Sequence, residues 1–244
     1  MLKKSFEMEV IQELCPENGT GLLKLTKMSD CFEKTKKVYV FDMDGTLVSS
    51  VAFYTKAYLS ILDEEGIPCE LEFMNELTPL GYNRIARTFL DMGVPGTMES
   101  VMERMDSKLI YEYTHNIKLK PFVREYLHKL KSEGADLYVL TGSPHHIADA
   151  CLQKNGVYEL FDRIWTTDDY GLAKTGPELF VKVAEQIGCQ MTDVHYFDDN
   201  PIAVMNARKA GYQVFGVLDV QNETEAKQLK QNCHVFVESF EKLL

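Results

Sequence analysis

Val38-Tyr39-Val40-Phe41-Asp42-Met43-Asp44-Gly45-Thr46-Leu47 is an apolar run that ends abruptly in two carboxylates, a glycine and a threonine. The β-branched and aromatic residues 38–41 read as a short strand buried on both faces of a parallel sheet. Open α/β sheets bind their ligands in the crevice beyond the carboxyl ends of the strands, so chemistry is expected at Asp42 and Asp44. Gly45 lets the backbone turn tightly beside a bound anion. Two carboxylates spaced this way make a hard-oxygen site that suits Mg²⁺ better than a soft metal. A bare Asp-x-Asp is more often an acidic turn, and the downstream sequence has to decide between the two.

Composition narrows the classes. The chain has 244 residues, 45% of them hydrophobic, enough for a sizeable core. Its 26 basic and 37 acidic residues give a formal charge of −11, a field that disfavours nucleic acid. Cys15, Cys31, Cys69, Cys151, Cys189 and Cys233 are scattered, with no Cys-x-x-Cys pair and no metal-ligand spacing. Reduced thiols in a cytoplasm are the expectation. No segment approaches the ~18 apolar residues of a membrane span. The expected partner is a small molecule, with the chain a monomer or homodimer.

Residues 1–37 form an extension of uncertain structure. Segments 6–14 and 22–28 flank a turn-rich stretch, 15–21, so the extension reads as a hairpin, as a short helix over 6–14, or as sequence upstream of a start at Met28. Residues 51–118 are too long for a loop and predict a folded helical insert. Tyr54, Ala57, Tyr58, Ile61 and Leu62 recur at helical steps up to Gly66 and Pro68; Ile85, Phe89 and Leu90 mark a second helix. A third starts near Thr97 and carries Val101, Met102, Met105, Leu109, Ile110 and Tyr113 on one face, read as core. Beyond the insert, Pro121 predicts a helix through 130, and 136–140 a buried strand ending at Thr141. Ser143 as cap and Pro144 as first residue open the next helix beside the site. His145 and His146 point to different faces of that helix, so at least one of them is read as a surface residue. Strands are also expected at 163–166, 194–197, 212–217 and 235–237, with a helix over 202–210 capped by Gly211 and a final short helix.

The string Asp-x-Asp-Gly-Thr-Leu directly after a hydrophobic strand resembles the first motif of the haloacid dehalogenase superfamily. Thr141 stands where the second motif places a hydroxyl. Lys174, Pro177, Glu178 and Phe180 match the third, with Thr175 where a proline is common. Asp198-Asp199 and Ala210-Gly211 match the fourth, while Ala203 replaces a further aspartate found in many members, which favours an assist from Asp198. All four occur in order, covering 38–211. The resemblance, to the capped phosphatases close to phosphoglycolate phosphatases and β-phosphoglucomutases, implies a Rossmann-like α/β core (38–50 and 119–244) with an α-helical cap (51–118).

It also implies a chemistry. Asp42 attacks phosphorus, Asp44 shuttles the proton, and Mg²⁺ is held by Asp42, the Asp44 carbonyl, Asp199 and Asp198. Lys174, Thr141 and the backbone amides of Met43 and Gly142 bind the phosphate of a small phosphorylated metabolite, and the 78–84 loop, with Gly81 and Arg84, faces the substrate. A phosphosugar mutase uses the same core, but Tyr54 is the nearest counterpart of the mutase branch's cap histidine. A receiver domain has its acidic pair first and no large insert. A catalytically retired binding protein would be expected to lose a motif, and none is missing. Asp44 disfavours halide chemistry.

Overall fold

The computed structural model describes residues 37–77, 81–219 and 223–244. The readings for residues 1–36, the start at Met28 included, and for 78–80 lie outside them. The chain forms β1 (Val38–Phe41), then α1 (Val51–Glu64), α2 (Leu71–Leu77), α3 (Tyr82–Asp91) and α4 (Met98–His115), all between the first two strands. It continues with α5 (Val123–Ser132), β2 (Asp136–Thr141), α6 (His145–Lys154), β3 (Arg163–Thr166), α7 (Glu178–Ile187) and β4 (Val194–Asp198). Then come α8 (Pro201–Ala210), β5 (Gln213–Val217), α9 (Glu223–Asn232), β6 (Val235–Val237) and a closing 3₁₀ turn, Phe240–Leu243.

The six strands form one parallel sheet in the order β3-β2-β1-β4-β5-β6. The chain builds outward from β1 through β2 to β3, then returns to the other side of β1 with β4. Strand order therefore reverses at β1, and the crevice opens at the carboxyl ends of β1 and β4. Alternate side chains of β1 feed two cores. Tyr39 and Phe41 join the cluster under α5, α6 and the insert, whereas Val38 and Val40 join the one under α7 and α8. Stacked rings cross the middle strands, Phe41 on Phe197 at 4.7 Å and Phe197 on Phe215 at 4.3 Å between centroids.

The insert shares the first of these cores. Val101, Met105, Leu109 and Tyr113 of α4 lie in one cluster with Ile147, Ala148 and Cys151 of α6, and α4 packs on α6. The linkers leaving and re-entering the sheet bond to each other: Lys120 N donates to Leu47 O at 2.9 Å and Ser49 N to Lys118 O at 3.1 Å. The end of α6 grips the returning linker. Asn155 accepts from Leu119 N at 3.2 Å and donates to Ile117 O at 3.3 Å and Cys151 O at 2.9 Å, while Lys154 Nζ donates to Ile117 O at 2.9 Å.

Two local expectations differ from the structure, and two helices are additional to them. The helix expected from Pro121 begins at Val123, because Phe122 has φ 65°, the one left-handed non-glycine backbone among the described residues. Ser143 does not cap α6; Pro144 holds that position and the serine hydroxyl is bonded elsewhere. Helices α2 and α9 lacked a clear apolar stripe and were not anticipated. Among the described residues no helix is long and apolar enough to cross a membrane.

Asn155 is buried, and its amide satisfies groups of the returning linker. Asn155→Ala should lower unfolding stability by about 1–3 kcal/mol, the cost of stranding buried polar groups. Urea denaturation checks this, and an unchanged midpoint would show that the linker is held by other means.

Candidate active site

Register sets the site. Phe41 pairs with Phe197 in the β1–β4 ladder, and Asp42 N donates to Phe197 O at 2.8 Å, so Asp42 emerges from the strand ends beside Asp198. The chain then turns on Met43 O, which accepts from Leu47 N at 2.9 Å and Val48 N at 3.0 Å. Gly45 sits in this turn at φ 76°, and a Cβ there would lie 2.3 Å from Asp199 Oδ2. Glycine is thus required by conformation and by the approach of a carboxylate. Thr46 Oγ1 donates to Asp199 Oδ1 at 3.1 Å and orients it.

Asp42, Asp198 and Asp199 each present an oxygen within 4.8 Å of the others. The first two are buried and Asp199 is half-buried. Lys174 Nζ reaches this group from the loop before α7, 2.5 Å from Asp42 Oδ1 and 3.0 Å from Asp198 Oδ2. Asp198 is further fixed by the Tyr196 hydroxyl on Oδ2 and by Asn200 N, 2.7 Å from Oδ1. Asn200 is also the N-cap of α8, accepting from Ile202 N at 2.8 Å.

Asp42 and Asp198 share the Lys174 ammonium, while Lys120 is the cation that acts on Asp199, so carboxylates outnumber cations. Burial pushes the Asp42 carboxyl up to about 8 against the pull of Lys174, with Asp198 and Asp44 adding to the rise. Asp199 is raised too, by burial and then by Asp198 and Asp42. Burial works against the Lys174 charge, but Asp198 and Asp42 outweigh it and hold the ammonium protonated. The donors are hard oxygens gathered at the strand ends and short of positive charge. That is the donor chemistry of a divalent cation such as Mg²⁺.

Asp44 faces elsewhere. Tyr113 Oη, near the end of α4, donates to its Oδ1 at 2.5 Å, and Ser143 Oγ donates to its Oδ2 at 2.6 Å. Thr141 is fully buried, and its Oγ1 accepts from Ser143 N at 3.0 Å, a bond that leaves its own proton to give. Gly142 borders open space, since a Cβ there would meet nothing within 4 Å. The Met43 side chain is core, so only its backbone can serve a ligand. Tyr54 of α1 is the insert's other approach. Its phenol is raised well above its ordinary range by burial, then by Asp44, Asp199 and Asp42.

The structure therefore brings together Asp42, Asp44, Thr141, Gly142, Lys174, Asp198 and Asp199. It does not bring in Gly81 and Arg84: they lie at the start of α3, Arg84 exposed, and among the described residues no side-chain hydrogen bond or ion pair ties them to the carboxylates. His145 and His146 are exposed and occupied, His145 with Asp169 at 2.9 Å and His146 with Asp106 at 3.1 Å. A cleft lined by His145, Arg163, Trp165 and Gln186 lies along the open edge of β3, away from the carboxylates. Tyr113, Ser143, Thr46 and Tyr196 were not legible as site residues. For Tyr113 a signal existed, a hydroxyl on an otherwise apolar helix face, but it does not distinguish a buried tyrosine from a site residue.

The profile of the haloacid dehalogenase-like hydrolases matches residues 39–217. A phosphorylated carbohydrates phosphatase from Thermotoga maritima is 24% identical over 189 residues, spanning 77% of this chain and 88% of the relative. The fructose-1-phosphate phosphatase of Escherichia coli is 25% identical over 178 residues, 73% of this chain and 94% of the relative. Among solved structures, CbbY from Rhodobacter sphaeroides in complex with phosphate has the same fold, with a TM-score of 0.74 at 18% identity, covering 85% of this chain and 96% of that one. The profile spans the strand ends that carry every carboxylate of the site, and the chain belongs to the haloacid dehalogenase-like hydrolases.

Proposed function

We propose that the protein is a Mg²⁺-dependent phosphatase that releases phosphate from a small phosphorylated compound through an aspartyl-phosphate intermediate. The observation that carries this reading is the contact of Lys174 with Asp42 inside the group Asp42, Asp198 and Asp199, with Asp44 separately bonded two residues on. A buried carboxylate against a lysine is a nucleophile whose charge is partly neutralised before substrate arrives. Asp42, Asp199 and the backbone carbonyl of Asp44 would hold Mg²⁺, with Asp198 fixing Lys174 and adding a nearby carboxylate. When bound, the ion supplies the positive charge that lets a carboxylate approach a phosphate dianion.

The residues divide the work. An Asp42 oxygen forms a bond to phosphorus as the bond to the leaving oxygen breaks, and Asp44 gives that oxygen its proton. Asp44, now a carboxylate, takes a proton from the water that attacks the same phosphorus, and the bond to Asp42 breaks to release inorganic phosphate. Thr141, Lys174 and the amides of Met43 and Gly142 hold the phosphoryl oxygens while charge redistributes.

The insert, 51–118, serves as a helical cap over this crevice, and its α3 start, with Gly81 and Arg84, is the candidate specificity element. Tyr54 stands nearest to where the mutase branch carries its cap histidine, which favours water over a second sugar as phosphoryl acceptor. Sugar phosphates are the first substrate class to screen, since relatives named for phosphorylated carbohydrates and fructose 1-phosphate align over most of their lengths. The scattered cysteines, with Cys69, Cys151, Cys189 and Cys233 free, fit a cytoplasmic location.

Two outcomes test the reading. Phosphate release from a sugar-phosphate panel should vanish on chelation and return with Mg²⁺; full turnover after exhaustive metal removal would rule out the cation. Asp42→Asn should abolish turnover, while Asp44→Asn should lose about 10²–10⁴-fold on alkyl phosphates, the usual worth of a placed acid/base. An Asp42→Asn protein that turns over normally would remove the nucleophile from the mechanism.

A further inference from the structure

Asp44 is bonded from two sides by two different parts of the chain. Its Oδ1 takes the Tyr113 hydroxyl from the insert, and its Oδ2 takes the Ser143 hydroxyl from the loop between β2 and α6. Tyr113 is buried in the core that the insert shares with the sheet. Its ring is rigid, and α4 is docked on α6 by apolar packing and by Asp106, which faces His146 at 3.1 Å while accepting from Tyr82. The hydroxyl is therefore delivered to a fixed point. Ser143 is fixed in turn by its own backbone bond to Thr141 Oγ1.

We propose that Tyr113 and Ser143 act as a two-hydroxyl clamp that positions Asp44 for proton transfer, so that the insert contributes a positioning residue to the reaction as well as enclosing it. This rests on Asp44 acting as the acid/base of the phosphatase reading. A carboxylate accepts about four hydrogen bonds, two per oxygen, so one donor on each oxygen fixes both side-chain torsions and still leaves room for the leaving-group oxygen or water. Neither hydroxyl supplies the transferred proton; each holds the group that does. An aspartate released from either donor would swing, and a displacement of about 1 Å at a reacting group is enough to cost up to ~10²-fold in rate.

The test compares two Mg²⁺-supported substrates in Tyr113→Phe, Ser143→Ala and Asp44→Asn. β-Glycerophosphate needs its leaving oxygen protonated, whereas p-nitrophenyl phosphate does not. Tyr113→Phe is expected to lower kcat on β-glycerophosphate about tenfold or more with KM within about twofold. On p-nitrophenyl phosphate the first turnover should keep its rate while later turnovers slow, producing a burst of nitrophenol. Ser143→Ala, which removes the core half of the clamp and does not perturb the insert, should show the same split. Equal losses in the first turnover on both substrates, a change confined to KM, or wild-type kinetics in both variants would overturn the clamp. If Asp44→Asn bursts and stalls while both clamp variants behave as wild type, only the clamp fails. If Asp44→Asn shows no burst, the acid/base role and the clamp fail together.

Discussion

Two buried carboxylates and a half-buried third converge at the carboxyl ends of β1 and β4, with Lys174 bridging Asp42 and Asp198, and much of the surrounding structure holds them there. Removing an ion from water costs on the order of several kcal/mol even after a protein relaxes around it, and like charges add to that cost. Each member is accordingly secured. Asp198 has Lys174, Tyr196 and the amide of Asn200; Asp199 has Thr46; Asp42 has Lys174. Even so, burial raises the Asp42 carboxyl against the pull of Lys174, and Asp198 and Asp44 add to the rise. Packing alone would favour an apolar cluster, and a cation and an anion meeting there would offset the cost of burying these charges.

The same constraint shapes the backbone. Gly45 has to be glycine because Asp199 occupies the space of a side chain, and the turn it enables aims the chain from β1 toward the insert. The insert returns beside its point of departure, 47–49 against 118–120, with Asn155 and Lys154 gripping the returning strand. Because α4 reaches back to Asp44 through Tyr113, the helical layer and the carboxylate cluster are coupled through one side chain as well as through the shared core.

The sheet was legible because its strands are short apolar runs buried on both faces, and because Asp42, Thr141 and Asp198 each fall at a strand end, where residue type changes sharply. Lys174 was legible from its spacing to Pro177 and Glu178. What the sequence did not disclose depends on tertiary approach. Tyr113 has the periodicity of a core residue and is one; its hydroxyl's partner lies far away in the chain. Ser143 read as a helix cap because serine before Pro144 suits that role, yet Pro144 takes the cap position and the serine hydroxyl donates to Asp44 at 2.6 Å. Phe122 adopts a left-handed backbone that no propensity anticipates, and that shifted the start of α5. The placement of Arg84 toward the substrate rested on analogy with capped relatives; the arginine is exposed on α3, and among the described residues no ion pair ties it to the carboxylates.

Calorimetric titration of Mg²⁺ into metal-free protein at pH 7, repeated in buffers of different ionisation enthalpy, tests the central claim most directly. Burial raises the Asp42 carboxyl above its ordinary range, and a cation that binds its carboxylate displaces the proton that burial favours. The account predicts one Mg²⁺ per chain, net proton release that diminishes as pH rises, and loss of binding in Asp199→Asn. Absence of binding, binding without proton release, or undiminished binding in Asp199→Asn would contradict it.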